Sequence, residues 1–171
     1  MNRPEKTEYA EYYERYVSLV GESEIIDVLE SQQFEMLELF KNIDEEKSLF
    51  AYAEGKWSIK ELIGHLTDGE RIFAYRALRI SRADRTPIEG FEQDGYIENS
   101  NFNKTPLAAL IDELILSRQA NLILFKNLTD EAWQRTGTAS ENPVSVRALA
   151  YIMAGHIRHH LKILAERYLA Q

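Results

Sequence analysis

The 171-residue chain has no cysteine, which excludes disulfides, iron–sulfur ligation and any thiol nucleophile carried by the protein itself. Basic residues are in deficit, with 20 Lys and Arg against 28 Asp and Glu. The resulting net charge of -8 argues against a nucleic-acid partner, because phosphate-backbone binding needs a concentrated cationic face. No run approaches the roughly 18 consecutive apolar residues of a membrane span, so no membrane partner is expected. Met1 to Ala10 is polar and charged where an export signal needs an apolar centre, and the expected setting is the cytoplasm. Glycine and proline are scarce, eight and four residues, so few breaks interrupt regular structure. What is present, 44% hydrophobic and 28% charged residues, is the make-up of an ordinary globular protein. A chain of this length usually builds one core, and residues 1–171 read as a single domain.

Between the breaks, apolar residues recur every three or four positions, the period of a helix, and nothing suggests a sheet. Four long helices are predicted, giving an all-α fold. The first spans about Glu22 to Asn42, with Ile25, Ile26, Leu29, Phe34, Leu37 and Phe40 on its apolar side. A short turn begins at Asp44, and Ala53 to Lys56 is a loop. The second helix has the clearest start: Ser58 caps it, Glu61 reaches back, and Trp57 packs on Leu62. It runs to about Arg82. The third has Thr105 as N-cap and Pro106 at its first position, and carries Leu107, Leu110, Leu114, Ile115, Leu122 and Phe125. The fourth follows Pro143, with Ser145 as cap, and continues to about Leu169.

Long connections follow helices two and three, Ala83 to Lys104 and Leu128 to Asn142, and Thr129 to Gln134 within the latter reads as a helical turn. Loops of this length are commonly functional, and Pro87 to Tyr96, with Phe91, Asp94 and Tyr96, is suited to covering a site. Leu39-Phe40-Lys41-Asn42-Ile43 echoes Leu124-Phe125-Lys126-Asn127-Leu128, a pattern that either duplication or chance would produce.

The four histidines fall in two places, His65 on the second helix and His156, His159 and His160 on the fourth. Residues four apart on a helix lie about 40° apart around its axis, so His156 and His160 project together. Leu149, Met153, His156, His160 and Ile163 follow one core-facing stripe, and His65 lies between Leu62 and Leu66 on a mostly apolar helix. Imidazoles on inner helix faces are costly unless each has a partner, and one divalent metal would serve three of them. The bland alternative is a set of hydrogen-bonded core histidines without metal. His159 is the competing third ligand, and the four-residue spacing favours His160. Gly64, Gly69 and Gly155 sit inside helices, where each costs about 1 kcal/mol relative to Ala. They make room for a metal and substrate, or for a tight helix crossing.

With these residues in view, the chain resembles the DinB-like superfamily, metal-binding four-helix bundles that include the YfiT-type proteins and the bacillithiol and mycothiol dependent enzymes. The resemblance is carried by Lys56-Trp57-Ser58-Ile59-Lys60-Glu61-Leu62-Ile63-Gly64-His65-Leu66, Glu70-Arg71, Tyr75-Arg76-Ala77-Leu78-Arg79, and Gly155-His156 with His159-His160-Leu161. It implies a four-helix bundle with a divalent metal, zinc or nickel, on one histidine of the second helix and two of the fourth, matching His65, His156 and His160. It also implies a homodimer. Family members transfer a low-molecular-weight thiol, isomerise a thiol adduct, or carry a nominal hydrolase label.

Three neutral imidazoles leave a coordination position open, as in catalytic rather than structural zinc sites. The function expected is attack by an activated thiol or water on a small electrophilic substrate, and any sulfur must come from a thiol cosubstrate. The alternative is a metal-binding or protein-interaction bundle without turnover. Asp68, Glu70, His159 and Asp94 are candidates for supporting or catalytic roles, against a reading of Asp68, Glu70 and Arg71 as solvated helix charges. Tyr9, Tyr12, Tyr13 and Tyr16, in residues 1–20, form a stripe expected to pack on the bundle or across a dimer contact rather than touch substrate. Trp57 and Trp133 read as packing at the bundle ends.

Overall fold

The computed structural model describes residues 2–21 and 23–170. Their regular elements are, in chain order, α1 (Glu14–Val17), α2 (Ile25–Phe40), α3 (Ile59–Ser81), α4 (Gln93–Glu98), α5 (Leu107–Lys126), α6 (Asp130–Gln134), β1 (Thr136–Ala139), β2 (Asn142–Ser145) and α7 (Val146–Ile163). The four long helices α2, α3, α5 and α7 make the bundle. The main packing partners of α3 are α5 and α7, and those of α2 are also α5 and α7. Consecutive helices α2 and α3 therefore lie across the bundle's diagonal, as do α5 and α7, unlike a simple up-and-down bundle in which neighbours in sequence are neighbours in space.

The helix starts follow local chemistry. Ser58 Oγ accepts from the Glu61 amide at 3.1 Å while the Glu61 carboxylate accepts from the Ser58 amide at 2.8 Å, a closed capping box. Ser145 Oγ accepts from the Ala148 amide at 3.0 Å and opens α7. At α5 the start differs from expectation by one residue. Pro106 is the cap position, the Thr105 hydroxyl donates instead to the Asn101 carbonyl, and the Leu107 amide donates to Glu45 Oε2 at 3.0 Å. A distant loop thus supplies the missing cap, and the same carboxylate pairs with the buried Lys60.

Two expectations need correction. The predicted start of the first helix at Glu22 lies outside the described residues; within them Ile25, Leu29 and Phe40 are buried as expected, but Phe34 and Leu37 are 71% and 44% exposed. The buried side is Ile25, Val28, Leu29, Met36 and Phe40, and at 100° per residue Phe34 points roughly 180° away from Ile25. A sheet also exists. Strands β1 and β2 pair antiparallel, Thr136 opposite Ser145, through a two-residue turn in which Ser140 and Glu141 have φ of 50° and 64°. The ribbon lacks both the apolar alternation and the Asn-Gly or Asp-Gly turn that would announce it.

The bundle carries a buried ionic network. Arg118 on α5 donates to both oxygens of Glu70 on α3 at 3.0 and 2.5 Å, and to Gln32 Oε1 and the Leu29 carbonyl on α2 at 2.9 and 3.0 Å. Gln32 in turn donates to the Ala154 carbonyl on α7 at 2.7 Å, so one network ties all four long helices. On the outside of α7, the N-terminal segment docks through Tyr16, Val17 and Val20. Gly155 permits this approach: a Cβ there would sit 2.0 Å from the Tyr16 carbonyl oxygen. None of the described helices is long and apolar enough to cross a membrane.

Candidate metal centre

The adjacency of α3 and α7 turns two separated sequence signals into one cluster. His65, His156 and His160 each offer a ring nitrogen, and the three nitrogens lie within 4.8 Å of one another. His65 Nε2 faces His156 Nε2 at 2.9 Å, and the three ring centroids are 4.6 to 4.9 Å apart. Gly69, one turn beyond His65, leaves the space for this: a Cβ there would come within 3.0 Å of His156 Cε1. The Gly64 position is filled instead by the Phe102 ring.

Burial holds these imidazoles neutral. It pushes His65 down to about 4, with the Asp94 carboxylate opposing the shift. His156 and His160 lie well below the ordinary histidine value, first through burial and then through the neighbouring imidazoles. Nδ1 of His160 is buried without a hydrogen-bond partner among the described residues. Neutral rings with converging nitrogens and an unsatisfied buried donor atom are what a divalent ion requires, so the residues fit one.

Two cavities border this cluster. The first, about 260 Å³, is bounded by His65 and His156 together with Tyr13, Tyr16, Phe73 and Phe91. The second, about 620 Å³, is bounded by His160 with Trp57, Asp94, Ile97 and Tyr168. Residues 91–93 line the first and Asp94, Ile97 and Glu98 the second, so the connection after α3 reaches both.

The other candidates separate. Asp94 lies on the second cavity and acts on His65 through its charge. His159 is half-buried outside the donor cluster, its ring 5.4 Å from Tyr16 and 5.0 Å from His160. Asp68 is half-buried, and burial raises its carboxyl, with Arg71 opposing. Glu70 is neither solvated nor turned to the histidines, since Arg118 and Asn121 occupy its oxygens. Arg71 is the surface charge expected, paired with Glu113 at 2.6 Å.

The tyrosine stripe packs on the bundle as expected, with Tyr9 and Tyr16 in the buried core, and three of its rings also border a cavity. Tyr12, Tyr13 and Tyr16 line the first cavity, and the Tyr16 ring meets His156 edge-on at 5.3 Å. The signal available was chemical, because packing alone would be satisfied by Phe or Leu, whereas this stripe is all tyrosine. Trp57 lies 4.8 Å from the His65 ring and walls the second cavity, while Trp133 stacks on Phe125 in the core.

A sequence model of the DinB superfamily matches residues 29–164. A protein of Oceanobacillus iheyensis named "Putative metal-dependent hydrolase" is 25% identical over 126 residues, 72% of each chain. Among solved structures, YfiT from Bacillus subtilis, described as "a probable metal-dependent hydrolase with an unusual four-helix bundle topology", superposes with a TM-score of 0.76 at 15% identity. The match covers 96% of this chain and 90% of that one, and shows a shared fold.

Proposed function

The chain belongs to the DinB superfamily, and on that premise we propose that it is a metal-dependent enzyme acting on a small electrophilic substrate. His65, His156 and His160 hold one divalent ion, zinc or nickel, with at least one position left open. When bound, such an ion supplies Lewis-acid chemistry that favours the ionised form of a coordinated water or low-molecular-weight thiol. The protein's own residues do the rest. The neutral imidazoles offer lone pairs without first losing protons, the aromatic walls exclude bulk water, and Asp94 stands beside the second cavity to hold or take a proton. A thiol, where used, is a cosubstrate, because the chain has no cysteine.

The observation carrying this reading is the convergence of three imidazole nitrogens within 4.8 Å of one another, beside two cavities. A purely structural metal site would have a fourth protein ligand, and the described residues cluster only three. We place the enzyme in the cytoplasm and read it as a homodimer. Phe34, Leu116 and Ile123, 71%, 63% and 64% exposed on the mutually packed α2 and α5, support the latter reading.

Elemental analysis of untagged protein beside a His65→Ala, His156→Ala, His160→Ala variant tests the site. About one divalent ion per chain, lost in the variant, is expected. No metal above background after reconstitution with zinc or nickel would overturn the enzyme reading.

A further inference from the structure

The second cavity differs from the first in size and in charge. At about 620 Å³ it lies within the range of small-molecule sites, about 300–1,000 Å³, and the first, at about 260 Å³, falls below it. Three carboxylates line it, Glu61, Asp94 and Glu98, against one cation, Lys56. Glu61 is engaged, accepting from the Ser58 amide and from Asn103 Nδ2 at 2.8 Å each. Asp94 and Glu98 stand one turn apart on α4, and their carboxylates have no hydrogen-bond or ion-pair partner among the described residues. They are not a metal site, since the three histidines are the one set of converging donors among the described residues.

Beside these acids stand aromatic rings that no described cation of the protein covers. Tyr52 and Trp57, in the loop before α3, are half-buried and line the cavity together with Tyr168, which follows α7. Tyr168 is 2% exposed and fixes the other two: its ring meets Tyr52 edge-on at 4.9 Å and 87°, and its hydroxyl donates to the Trp57 carbonyl at 2.8 Å. Described Arg and Lys side chains lie over the rings of Tyr12, Tyr16, Phe50, Tyr75 and Phe91, but over none of these three. Fixed aromatic rings beside unpaired carboxylates are the chemistry that holds an ammonium group, through the ring quadrupole and the counter-charge together. The net charge of -8 draws cations toward the protein.

We propose that the second cavity takes an organic cation, a small molecule carrying a quaternary or protonated ammonium group. Tyr52 and Trp57 hold the ammonium group, and Asp94 and Glu98 supply the counter-charge. Leu62, Ile97 and Ile163 offer the rest of the molecule an apolar wall in the cavity that His160 also lines, and the reactive end turns toward that histidine. This last placement rests on the metal-enzyme reading above; the cation site does not.

Choline and 3,3-dimethylbutan-1-ol share one shape and differ in the charge at the branched centre, so NMR titration of full-length protein with each isolates the cation. Both zinc-loaded and chelated protein are titrated. Choline should bind at least about tenfold tighter in both forms, a difference of about 1.4 kcal/mol. In the wild type the Trp57 indole N–H resonance should move while that of Trp133, stacked in the core, stays, a readout that stands whether or not any variant folds. Asp94→Asn with Glu98→Gln should erase most of the preference. Glu35→Gln with Glu38→Gln, equally exposed but on α2 and outside the cavity, should leave it. Equal binding of the two probes, binding of neither, a preference confined to the zinc-loaded form, or a response at Trp133 rather than Trp57 would overturn the proposal. So would a preference that survives in the folded Asp94→Asn, Glu98→Gln variant, or one lost equally in both double variants. Elemental analysis reports on the metal separately, so either reading can fail without the other.

Discussion

Two polar clusters are buried in the same bundle on overlapping helices, yet they are built in opposite ways. At Glu70 and Arg118 every charge meets a partner from the protein, and the partners come from all four long helices. At His65, His156 and His160 the protein brings nitrogens together and leaves them facing each other, with Nδ1 of His160 unpaired among the described residues. The first cluster is closed and specifies helix register; the second is open and awaits something from outside. Burial of polar atoms alone therefore does not mark a functional site, and the useful distinction is whether the protein satisfies them.

The comparison can be broken most forcefully at Arg118. Arg118→Met strands the Glu70 carboxylate in the core, which should cost about 3–5 kcal/mol. For a domain of this size that lowers Tm by on the order of 6–20 °C in calorimetry. A shift of only a degree or two would mean that the network is not what fixes the bundle.

A smaller effect on stability, but a complete one on metal content, is expected at the open cluster. His156→Ala should abolish bound metal and destabilise the metal-free protein less than Arg118→Met does. The same variant sharpens the pH behaviour. The folded-state values of these histidines are depressed below the ordinary value, so the unfolded chain binds more protons in acid. Their contribution is intact above about pH 6.5 and is lost as pH falls toward about 4, the His65 value, at up to about 1.4 kcal/mol per pH unit for each imidazole. Urea unfolding of metal-free protein between these limits should show that slope, and His156→Ala should flatten it. An unchanged slope would show that the buried rings do not govern it.

The smallest change is expected from Gly69→Ala. Its Cβ would displace the His156 ring by a few tenths of an ångström, since 3.0 Å is too close for an ordinary contact. Metal affinity should fall roughly tenfold, equivalent to about 1.4 kcal/mol, with Tm almost unmoved. A fall in Tm without loss of affinity would place the glycine's role in helix packing instead.

The sequence announces both clusters unevenly. His156 and His160 are legible because helical spacing alone puts them on one face, and Ser58 with Glu61 because capping is local. Glu70, Gln32 and Arg118 were harder to see, although each interrupts an apolar stripe: Leu66 and Phe73 flank Glu70, Leu29 and Met36 flank Gln32, and Leu114 and Leu122 flank Arg118. Each looks like a flaw in its own helix and makes sense only when the three helices are brought together. That Tyr12, Tyr13, Tyr16 and Ser140 border a cavity is hidden for the same reason. Which cavity they line depends on where α1 and the β-ribbon dock, and no local period encodes that.

The diagonal placement of α2 and α3 also sets an order of events during synthesis. Of the consecutive long helices only α3 and α5 are main packing partners, and α2 joins them through α5, so the earlier part of the chain cannot close the bundle before α7. His65 emerges with α3 and stays a lone imidazole until α7 leaves the ribosome and docks beside it, when the cluster's other two members, His156 and His160, arrive together. A nascent chain stalled before residue 146 would have no three-histidine cluster, because two of its members lie on α7.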